Sequence, residues 1–521
     1  MSTNVEVSKK LVLVNSASSV GARLLNISVL VWLQQYLLAH ITAEEYSLYP
    51  LLMAVMVFVP LITNVLTWGL GRFVVEAYAQ GDERRVTQIT STMFPLLTGV
   101  GICMFAGGLV FAWHIDKFLT IAPERVWDAR FMLSVMVFSA AARLPLAPFG
   151  IALYVRQKFV LHNSLQLGAE LLRVGLLLVF LLGISTRVIW VPVAQAAAYL
   201  SVECLRVIIS RRMIPALRYR RGMFDFKIAR AVSSFGAWNF GNQAAESLRA
   251  AADPIILNKL CGAAAAVQVT CFYLGNLVFY HIATLAHLAR GPLTPVLTAL
   301  HATGDDGRIG HAYVRGNRYG LWTSLLAGVP LMIFAHEFFM LYTGPKYIRA
   351  AVVMTILLAQ YPFVFTSLLL PSIAEARNQL RGLTIISIVR NVLNVGLSIY
   401  LVGFADMGAV GAALAALMTS VGSQVFYMPL GIRLSGVSWG RWWRETVVLG
   451  CLPALVTAPV WIVTRYALRP ATWFELAVAF GIGAVVYAAV LLMFCLQPHE
   501  RRDLRHLAER VGLRRPAQSA A

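Results

Sequence analysis

The chain has 521 residues, of which 59% are hydrophobic and only 13% are charged, and its formal net charge is +20. Because soluble domains carry about 25% charged residues, this composition excludes a soluble enzyme and indicates a polytopic membrane protein. Nucleic-acid binding does not explain the positive charge. Most Lys and Arg fall in loops predicted to be cytoplasmic, and no basic domain with interleaved aromatic residues is present.

Apolar runs of about 20 residues recur along the chain, and each is long enough to cross a bilayer as a helix. We predict an all-α protein with about 14 transmembrane helices and with both termini in the cytoplasm. The predicted spans are 14–38, 46–70, 92–113, 129–152, 162–184, 188–208, 233–257, 264–288, 319–337, 350–372, 383–402, 407–431, 446–464 and 474–495. The first span lacks a small-residue cleavage site, so we expect an uncleaved anchor.

The longest interior loops are 210–230 and 297–318. Basic residues and scattered apolar ones in the first predict a helix lying on the cytoplasmic face. The tail at 501–515 has the same pattern, although a solvated charged tail explains it equally well.

An internal repeat relates the two halves of the chain. Gly-Asp pairs at 81–82 and 304–305 lie 223 positions apart, and Pro148 and Pro371 show the same offset. The segments LLRVGLLL (171–178) and VLNVGLSI (392–399) differ by 221 positions. The repeat predicts two six-helix lobes of the same topology, related by a pseudo-twofold axis along the membrane normal, with two additional C-terminal helices. The predicted parts are the N-terminal lobe (1–208), a basic cytoplasmic linker (209–230), the C-terminal lobe (231–432), two additional helices (433–495) and a basic cytoplasmic tail (496–521).

Enzyme signatures are missing from the sequence. There is no P-loop, HExxH motif or serine elbow, and the six cysteines lack the spacing of a zinc site or a disulfide framework. We therefore expect neither an enzyme nor a bound metal. A membrane transferase with catalytic acids in its loops is the main enzymatic alternative, and loops that hold mostly Arg make it weak.

Three Glu–Arg pairs in the predicted spans share a spacing of three residues. Residues three apart lie on one face of a helix, so each Arg can neutralise its own Glu. We expect this structural role for Glu170 with Arg173 and for Glu203 with Arg206. The third pair is Glu246 with Arg249.

Span seven differs because its polar residues form one stripe along the helix at spacings of three and four. They are Asn239, Asn242, Glu246, Arg249 and Asp253. Exposing such a stripe to lipid would cost too much free energy, so the stripe should face a cavity or the partner lobe. Pro254 predicts a kink or a helix end that would free a backbone carbonyl for the cavity.

Other intramembrane cations have no acid nearby in the sequence: Arg23 in span one, Arg143 in span four, and Arg390 beside Asn391 and Asn394 in span eleven. Arg in such a setting suits a cavity that receives an anion, since its planar fork matches phosphate oxygens. Arg290 at the end of span eight fits the same role, or that of an anchor under the positive-inside rule.

The chain resembles polysaccharide flippases of the Wzx type, which belong to the MOP superfamily with the MATE drug exporters and the lipid II flippase. The resemblance lies in three places besides the two six-span lobes. They are the R-x-x-x-E-x-x-x-x-G-D run at 72–82, the polar span seven ending in DPIIL (253–257), and the segment FFMLYTGPKYIRAAVVMTILL (338–358).

This resemblance implies a MATE-like fold that carries an undecaprenyl-pyrophosphate-linked oligosaccharide across the bacterial inner membrane by alternating access, for O-antigen or exopolysaccharide synthesis. A polymerase and a co-polymerase of that pathway are the implied protein partners. No cofactor is implied, and the coupling ion could be H⁺ or Na⁺. A lipid II flippase is the main alternative. A MATE exporter is a second one, but an acid-dominated cavity would be expected there, and span one carries Arg23 and no acid.

Under this hypothesis the pyrophosphate and sugar are bound in the cavity, with Arg249 and Arg23 on the pyrophosphate. The candidate binding residues are Arg23, Arg143, Asn242, Arg249, Arg290, Arg390 and Asn394. Glu246 and Asp253 would tune Arg249 and exchange a proton when the phosphate arrives.

Overall fold

The computed structural model describes residues 35–501, except for 157, 238–239, 289–296, 298–299, 302–304, 378 and 498–499. Within these ranges the chain is helical and contains no strand. The main helices are α1 (Ala43–Met56), α2 (Val59–Ala79), α3 (Glu83–Trp113), α4 (Val126–Arg143), α5 (Phe159–Gly183), α6 (Trp190–Met213), α7 (Phe226–Ala237), α8 (Phe240–Leu260), α9 (Ala265–Leu288), α10 (Asp306–Ile333), α11 (Ala335–Thr343), α12 (Arg349–Leu358), α13 (Leu370–Ala376), α14 (Leu380–Ile399), α15 (Gly408–Ser435), α16 (Leu449–Leu468) and α17 (Trp473–Val490). Shorter helical segments are Ile115–Phe118, Pro123–Arg125, Leu144–Leu146, Ala152–Val155, Gly262–Ala264, Pro345–Tyr347, Tyr361–Val364, Phe365–Ser367, Tyr400–Phe404, Trp439–Trp442, Trp443–Val448 and Leu491–Cys495.

The described part of the chain has 11 helical segments long and apolar enough to cross a membrane, or 12 if the bent pair α10 and α11 forms one span. These segments coincide with twelve of the predicted spans. Span one lies almost wholly outside the described residues. Span seven corresponds to α8, which carries three charged residues near its centre, and its composition is therefore less apolar than that of the other spans. The all-helical, multi-pass fold is confirmed, whereas the count of 14 stays a prediction.

Large apolar side chains cover much of the outer surface of these helices. Val179, Leu182, Phe426, Val463 and Phe474 are each more than 60% exposed. A soluble monomer rarely exposes apolar patches of this extent. The exposed side chains are those expected to contact lipid tails.

The aspartates of the two Gly-Asp pairs have the same role in the structure, since each is the N-cap of a long helix. Asp82 is the N-cap of α3, where its carboxylate accepts a hydrogen bond from the backbone N–H of Arg85 at 2.8 Å. Asp305 is the N-cap of α10, where its carboxylate accepts a hydrogen bond from the backbone N–H of Arg308 at 3.1 Å. Both helices begin well before the apolar residues of their spans. The two caps agree with the predicted repeat, which stays a prediction. The loop predicted at 297–318 is helical from Asp306 onward because Asp305 starts the helix.

The prediction of a helix in the loop 210–230 is wrong for residues 214–225. This segment is not helical, because Pro215 cannot continue α6 and because α3 offers hydroxyl partners to its backbone. Thr87 donates to the carbonyl of Ala216 at 2.8 Å, and Thr92 accepts from the N–H of Asp225 at 3.1 Å. A sequence window carries no signal for these partners, since they lie more than 120 residues away.

The helices divide into two compact units, the first comprising Met1–Leu277, Pro345–Val353 and Thr384–Thr419. Within it, α2 packs against α3 and α7, and α8 packs against α1 and α2. Gly69 permits the close approach of α2 and α7, because an added Cβ would lie 2.5 Å from the carbonyl oxygen of Val232. This unit therefore contains α8 together with the N-terminal helices.

The second unit comprises Val278–Gly344, Met354–Leu383 and Ser420–Ala521. Its described core is the packing of α10 with α16 and α17. The Trp322 indole donates to the carbonyl of Leu449 at 2.9 Å, and the Tyr487 hydroxyl donates to the carbonyl of Trp322 at 3.0 Å. These bonds hold the two C-terminal helices against α10. The predicted lobe boundaries remain a prediction.

Candidate site for an anionic substrate

The polar stripe of α8 meets charged and polar residues of α14, and Glu246 lies at the centre of the contact. Arg390 donates to the Glu246 carboxylate at 2.5 Å, and Arg249 donates to it at 3.3 Å. Ser387 adds a hydrogen bond at 3.0 Å, and the Asn391 amide lies 3.4 Å from the same oxygen. We call these five residues the Glu246 cluster.

Charge in the Glu246 cluster is unbalanced, because one carboxylate serves two guanidinium groups. The side chains of Glu246 and Arg249 are 40% and 38% exposed, and that of Arg390 is 19% exposed. The cluster is therefore open enough to admit a ligand and carries one excess positive charge. A fixed positive charge in a partly desolvated setting favours binding of an anion.

Arg390 has no acid nearby in the sequence, and the structure supplies one from α8. The Glu246–Arg249 pair forms with the predicted spacing, but Arg249 does not neutralise that carboxylate alone. The same spacing gives ion pairs at Glu170–Arg173 (2.8 Å) and at Glu203–Arg206 (2.9 Å), so the predicted pairing is confirmed.

Asp253 lies in a second, buried part of the stripe and is only 3% exposed. Ser398 of α14 donates to its carboxylate at 2.7 Å. Near it on the same helix, Asn394 is fully buried, and its amide lies 3.4 Å from the Thr419 hydroxyl of α15. Within the described residues, the Asn394 Oδ1 atom has no hydrogen-bond donor. A buried carboxylate favours a bound proton or a small cation, and the amide oxygen of Asn394 lies one helical turn before Ser398.

Helix α8 continues through Pro254 to Leu260, so the predicted helix end at this proline is wrong. This helix packs against α1 and α2. Proline still lacks the N–H that would bond to the carbonyl of Ala250.

Arg143 lies at the end of α4 and lines a cavity of about 330 Å³ with Gln195 and Tyr199 of α6. Its guanidinium lies 5.6 Å from the centre of the Tyr199 ring, and none of the described acids forms an ion pair with it. The Tyr199 hydroxyl donates to Glu170 at 2.7 Å, which already pairs with Arg173. Arg143 is thus the cation of this cavity that the neighbouring acid does not neutralise.

Four residues of the predicted site lie wholly or partly outside the described part of the chain. Arg23, Arg290 and Asn239 lie outside the described residues, and Asn242 lies in α8 with a side chain outside them. Among the placed residues, the structure brings Glu246, Arg249 and Arg390 together. Asp253 contacts Ser398 of α14, and Asn394 contacts Thr419 of α15.

Sequence reasoning missed the stripe on α14. Its four buried polar residues repeat at spacings of four, three and four, which is the helical period. They are Ser387, Asn391, Asn394 and Ser398. This periodicity could have revealed a polar face complementary to that of α8.

No protein-family model matches the chain. A curated relative, the uncharacterized membrane protein EpsK of Bacillus subtilis (strain 168), is 22% identical over 499 residues and aligns with 94% of this chain and 96% of its own. The lipid II flippase MurJ in an inward closed conformation is a structural match, with a TM-score of 0.64 and 12% identity over 95% of this chain and 100% of that one. An inward-facing MATE multidrug transporter of the MOP superfamily matches with a TM-score of 0.60 and 14% identity, over 81% of this chain and 98% of its own.

The chain has the MurJ and MATE fold. Its neighbours are transporters and flippases rather than enzymes. The MATE structure leaves about a fifth of this chain unmatched, whereas MurJ matches nearly all of it. At these identities the match establishes the fold alone.

Proposed function

We propose that this protein moves an undecaprenyl-pyrophosphate-linked oligosaccharide across the bacterial inner membrane, by alternating access of two lobes, for surface polysaccharide synthesis. The observation that carries the proposal is the excess positive charge of the Glu246 cluster. A pyrophosphate that leaves water must meet fixed positive charge, and Arg249 and Arg390 offer two planar forks suited to its oxygens. Arg143 supplies a further cation in the same compact unit.

Glu246 has a role of its own in this scheme. With no substrate bound, it holds both Arg249 and Arg390, since two uncompensated cations would repel each other and cost desolvation energy. An arriving pyrophosphate competes with Glu246 for the two guanidinium groups. Proton uptake by Glu246 would complete the exchange.

Substitutions of Arg249 test the cluster in a deletion strain of the host, with surface polysaccharide as the readout and membrane protein level as the check. Arg249→Lys should retain part of the activity, because charge survives while the bidentate fork is lost. Arg249→Ala and Arg390→Gln should abolish export. Arg206→Ala is the matched control, since it also leaves a Glu three residues away but lies outside the cluster. Normal export by Arg249→Ala at the normal protein level would overturn the proposal.

Two deletion phenotypes separate the classes of substrate. We expect loss of surface polysaccharide with nearly unchanged sensitivity to cationic drugs. Greatly increased drug sensitivity with normal polysaccharide would favour an exporter. Rescue of a strain depleted of its lipid II flippase would favour the peptidoglycan pathway instead.

We further propose Asp253 as the coupling residue, which takes up a proton or Na⁺ together with Ser398 and Asn394. The purified full-length protein should change thermal stability on exchange of choline for Na⁺, or between neutral and mildly acidic pH, and Asp253→Asn should abolish that change. Asp116→Asn, at an exposed ion pair, is the control. A wild-type protein indifferent to both Na⁺ and pH would contradict the assignment.

Topology is part of the same proposal, and the Lys and Arg bias carries it. Reporter fusions at Gly222, Gly304 and Gln518 should report a cytoplasmic position, and fusions at Ala43 and Glu124 an external one. An external Gly222 would contradict the arrangement of two six-span lobes.

A further inference from the structure

The segment that joins α6 to α7 lies along α3 near the start of that helix, within the first unit. We call residues 214–225 the basic strap. The Ser91 hydroxyl of α3 accepts a hydrogen bond from the backbone N–H of Arg220 at 2.9 Å, and the Thr92 hydroxyl accepts one from Asp225 at 3.1 Å. These bonds fix the backbone of the strap, so its side chains are presented from a defined position on the surface.

Apolar and basic side chains of the basic strap point in different directions. Leu217 is fully buried, and the ring of Tyr219 lies 5.3 Å from the ring of Phe94 on α3. Three arginines between and after these residues are exposed: Arg218, Arg220 and Arg221. Three cations are therefore displayed on one short stretch of fixed backbone.

The acids of the basic strap and of the start of α3 do not balance these arginines. The strap contains one acid, Asp225, whose carboxylate accepts a hydrogen bond from the backbone N–H of Lys227 at 2.8 Å. The start of α3 adds no net charge, because Asp82 and Glu83 are followed directly by two arginines. The surface of the strap is therefore positive.

Exposed aromatic rings accompany the arginines. Phe224 and Phe226 are 53% and 72% exposed. Gly222, with a φ of 82°, turns the chain between Arg221 and these rings. Phe226 begins α7, which packs against α2 through the buried Val232 on another face. Exposed aromatic rings beside basic residues are typical of the boundary between lipid headgroups and acyl chains.

The position of the basic strap along α3 places it at the edge of the bilayer. The first turns of α3 are polar, and the long apolar run of this helix begins at Met93. The strap is bonded to Thr87, Ser91 and Thr92, immediately before that run. Because a helix enters the hydrocarbon where its apolar run begins, the strap lies at the depth of lipid phosphates.

We propose that the basic strap binds the headgroups of anionic membrane lipids. Its three arginines contact the phosphates, and Phe224 and Phe226 insert between the upper parts of the acyl chains. Arg matches phosphate through charge-assisted hydrogen bonds, and Lys and Arg clustered beside a transmembrane helix attract anionic lipids. The exposed rings favour a lipid over a soluble acidic partner. This surface shares no residue with the Glu246 cluster, and it needs no transported substrate.

Fluorescence quenching by brominated lipids measures which lipid lies beside the basic strap. The full-length Phe226→Trp variant is reconstituted into vesicles of equal amounts of phosphatidylglycerol and phosphatidylcholine, with bromine on the acyl chains of one lipid at a time. Wild-type fluorescence is subtracted. Brominated phosphatidylglycerol should quench the new Trp at least about fivefold more than brominated phosphatidylcholine, because each arginine near an anionic surface contributes roughly that factor. High salt should reduce this preference, since exposed charges are screened.

Phe426→Trp is the matched control, because Phe426 is 63% exposed within α15 and has no Lys or Arg within six residues along the chain. Both brominated lipids should quench it equally. In the Phe226→Trp background, Arg218→Gln/Arg220→Gln/Arg221→Gln should abolish the preference for phosphatidylglycerol. The corresponding triple Lys variant should keep most of it, because the charge survives. Both triple variants should unfold at the wild-type temperature in detergent, since backbone bonds to α3 hold the strap.

Four results would overturn the proposal. The first is equal quenching of Phe226→Trp by the two lipids, and the second is a preference that survives the triple Gln substitution. The third is loss of the preference in the triple Lys variant, which would contradict an attraction between charges. Weak quenching by both lipids is the fourth, because it would place the strap in water and assign it to a soluble acidic partner. None of these measurements involves transport, so they leave the proposed function untouched.

Discussion

Glu500→Gln should destabilise the second unit strongly, because this residue is the counter-ion of the buried Arg318. Both side chains are 1% exposed. In the wild type the Tyr319 hydroxyl donates to one oxygen of Glu500 and the backbone N–H of Gln497 donates to the other. The glutamine retains only one of these two acceptor oxygens. The substitution thus removes the negative charge and one of the two acceptor oxygens, and it keeps the size of the side chain.

The size of the effect depends on the contacts that Arg318 keeps in the variant. Loss of one partner of a buried pair costs about 3–5 kcal/mol. Arg318 still donates to the carbonyl of Glu445 at 3.1 Å and lies 5.3 Å from the centre of the Trp322 ring. These contacts place the cost at the lower end, about 3 kcal/mol. With an unfolding entropy of about 2.1 cal/mol/K per residue, that loss lowers the Tm by roughly 3 °C.

Thermal unfolding of the purified protein in one fixed detergent measures this shift. Glu445→Gln is the matched control: its pair with Arg441 is 21% and 31% exposed, so it should cost less than about 1 kcal/mol. The variant Arg318→Met/Glu500→Gln should recover most of the lost stability, because no lone charge remains buried. A loss at Glu500 no larger than at Glu445, or a double variant no more stable than Glu500→Gln, would contradict the explanation.

Two further pairs of substitutions test the packing and the repeat by the same assay. Gly483→Ala should cost about 1–3 kcal/mol, because its Cβ would lie 1.9 Å from Nε1 of the buried Trp461. Gly481→Ala meets nothing within 4 Å and should leave stability unchanged or raise it by up to about 1 kcal/mol; equal losses at both positions would contradict the contact. Asp82→Ala and Asp305→Ala should each cost about 1 kcal/mol as lost N-caps. A loss at only one of them would contradict the equivalence of the two caps.

Features that depend on neighbouring residues could be predicted. The apolar spans follow from composition, because a helix in lipid must satisfy its own backbone and expose apolar side chains. The pairs Glu170–Arg173 and Glu203–Arg206 follow from a spacing of three residues. The repeat of Asp82 and Asp305 follows from sequence offset, and both residues are N-caps.

Features that depend on distant partners were missed or predicted incorrectly. The linker at 214–225 has the composition of an interfacial helix, yet hydroxyl groups on α3 hold it in an irregular conformation. Arg390 has no acid near it in the sequence, and Glu246 lies 144 residues away. The stripe on α14 was visible as a periodicity, but its meaning depended on which helix it faced.

The sequence by itself determined that the protein is helical and crosses the membrane several times. It also identified the charged residues that are too costly to expose to lipid. Only the tertiary structure decided how those charges combine. It placed Arg249 and Arg390 on one carboxylate, Asp253 against Ser398, and Arg318 with Arg315 on Glu500. The physical reason is the distance along the chain over which each interaction acts. Hydropathy and helix caps act within a few turns of one helix, whereas the balance of charge at a buried site is a sum over helices far apart in the chain.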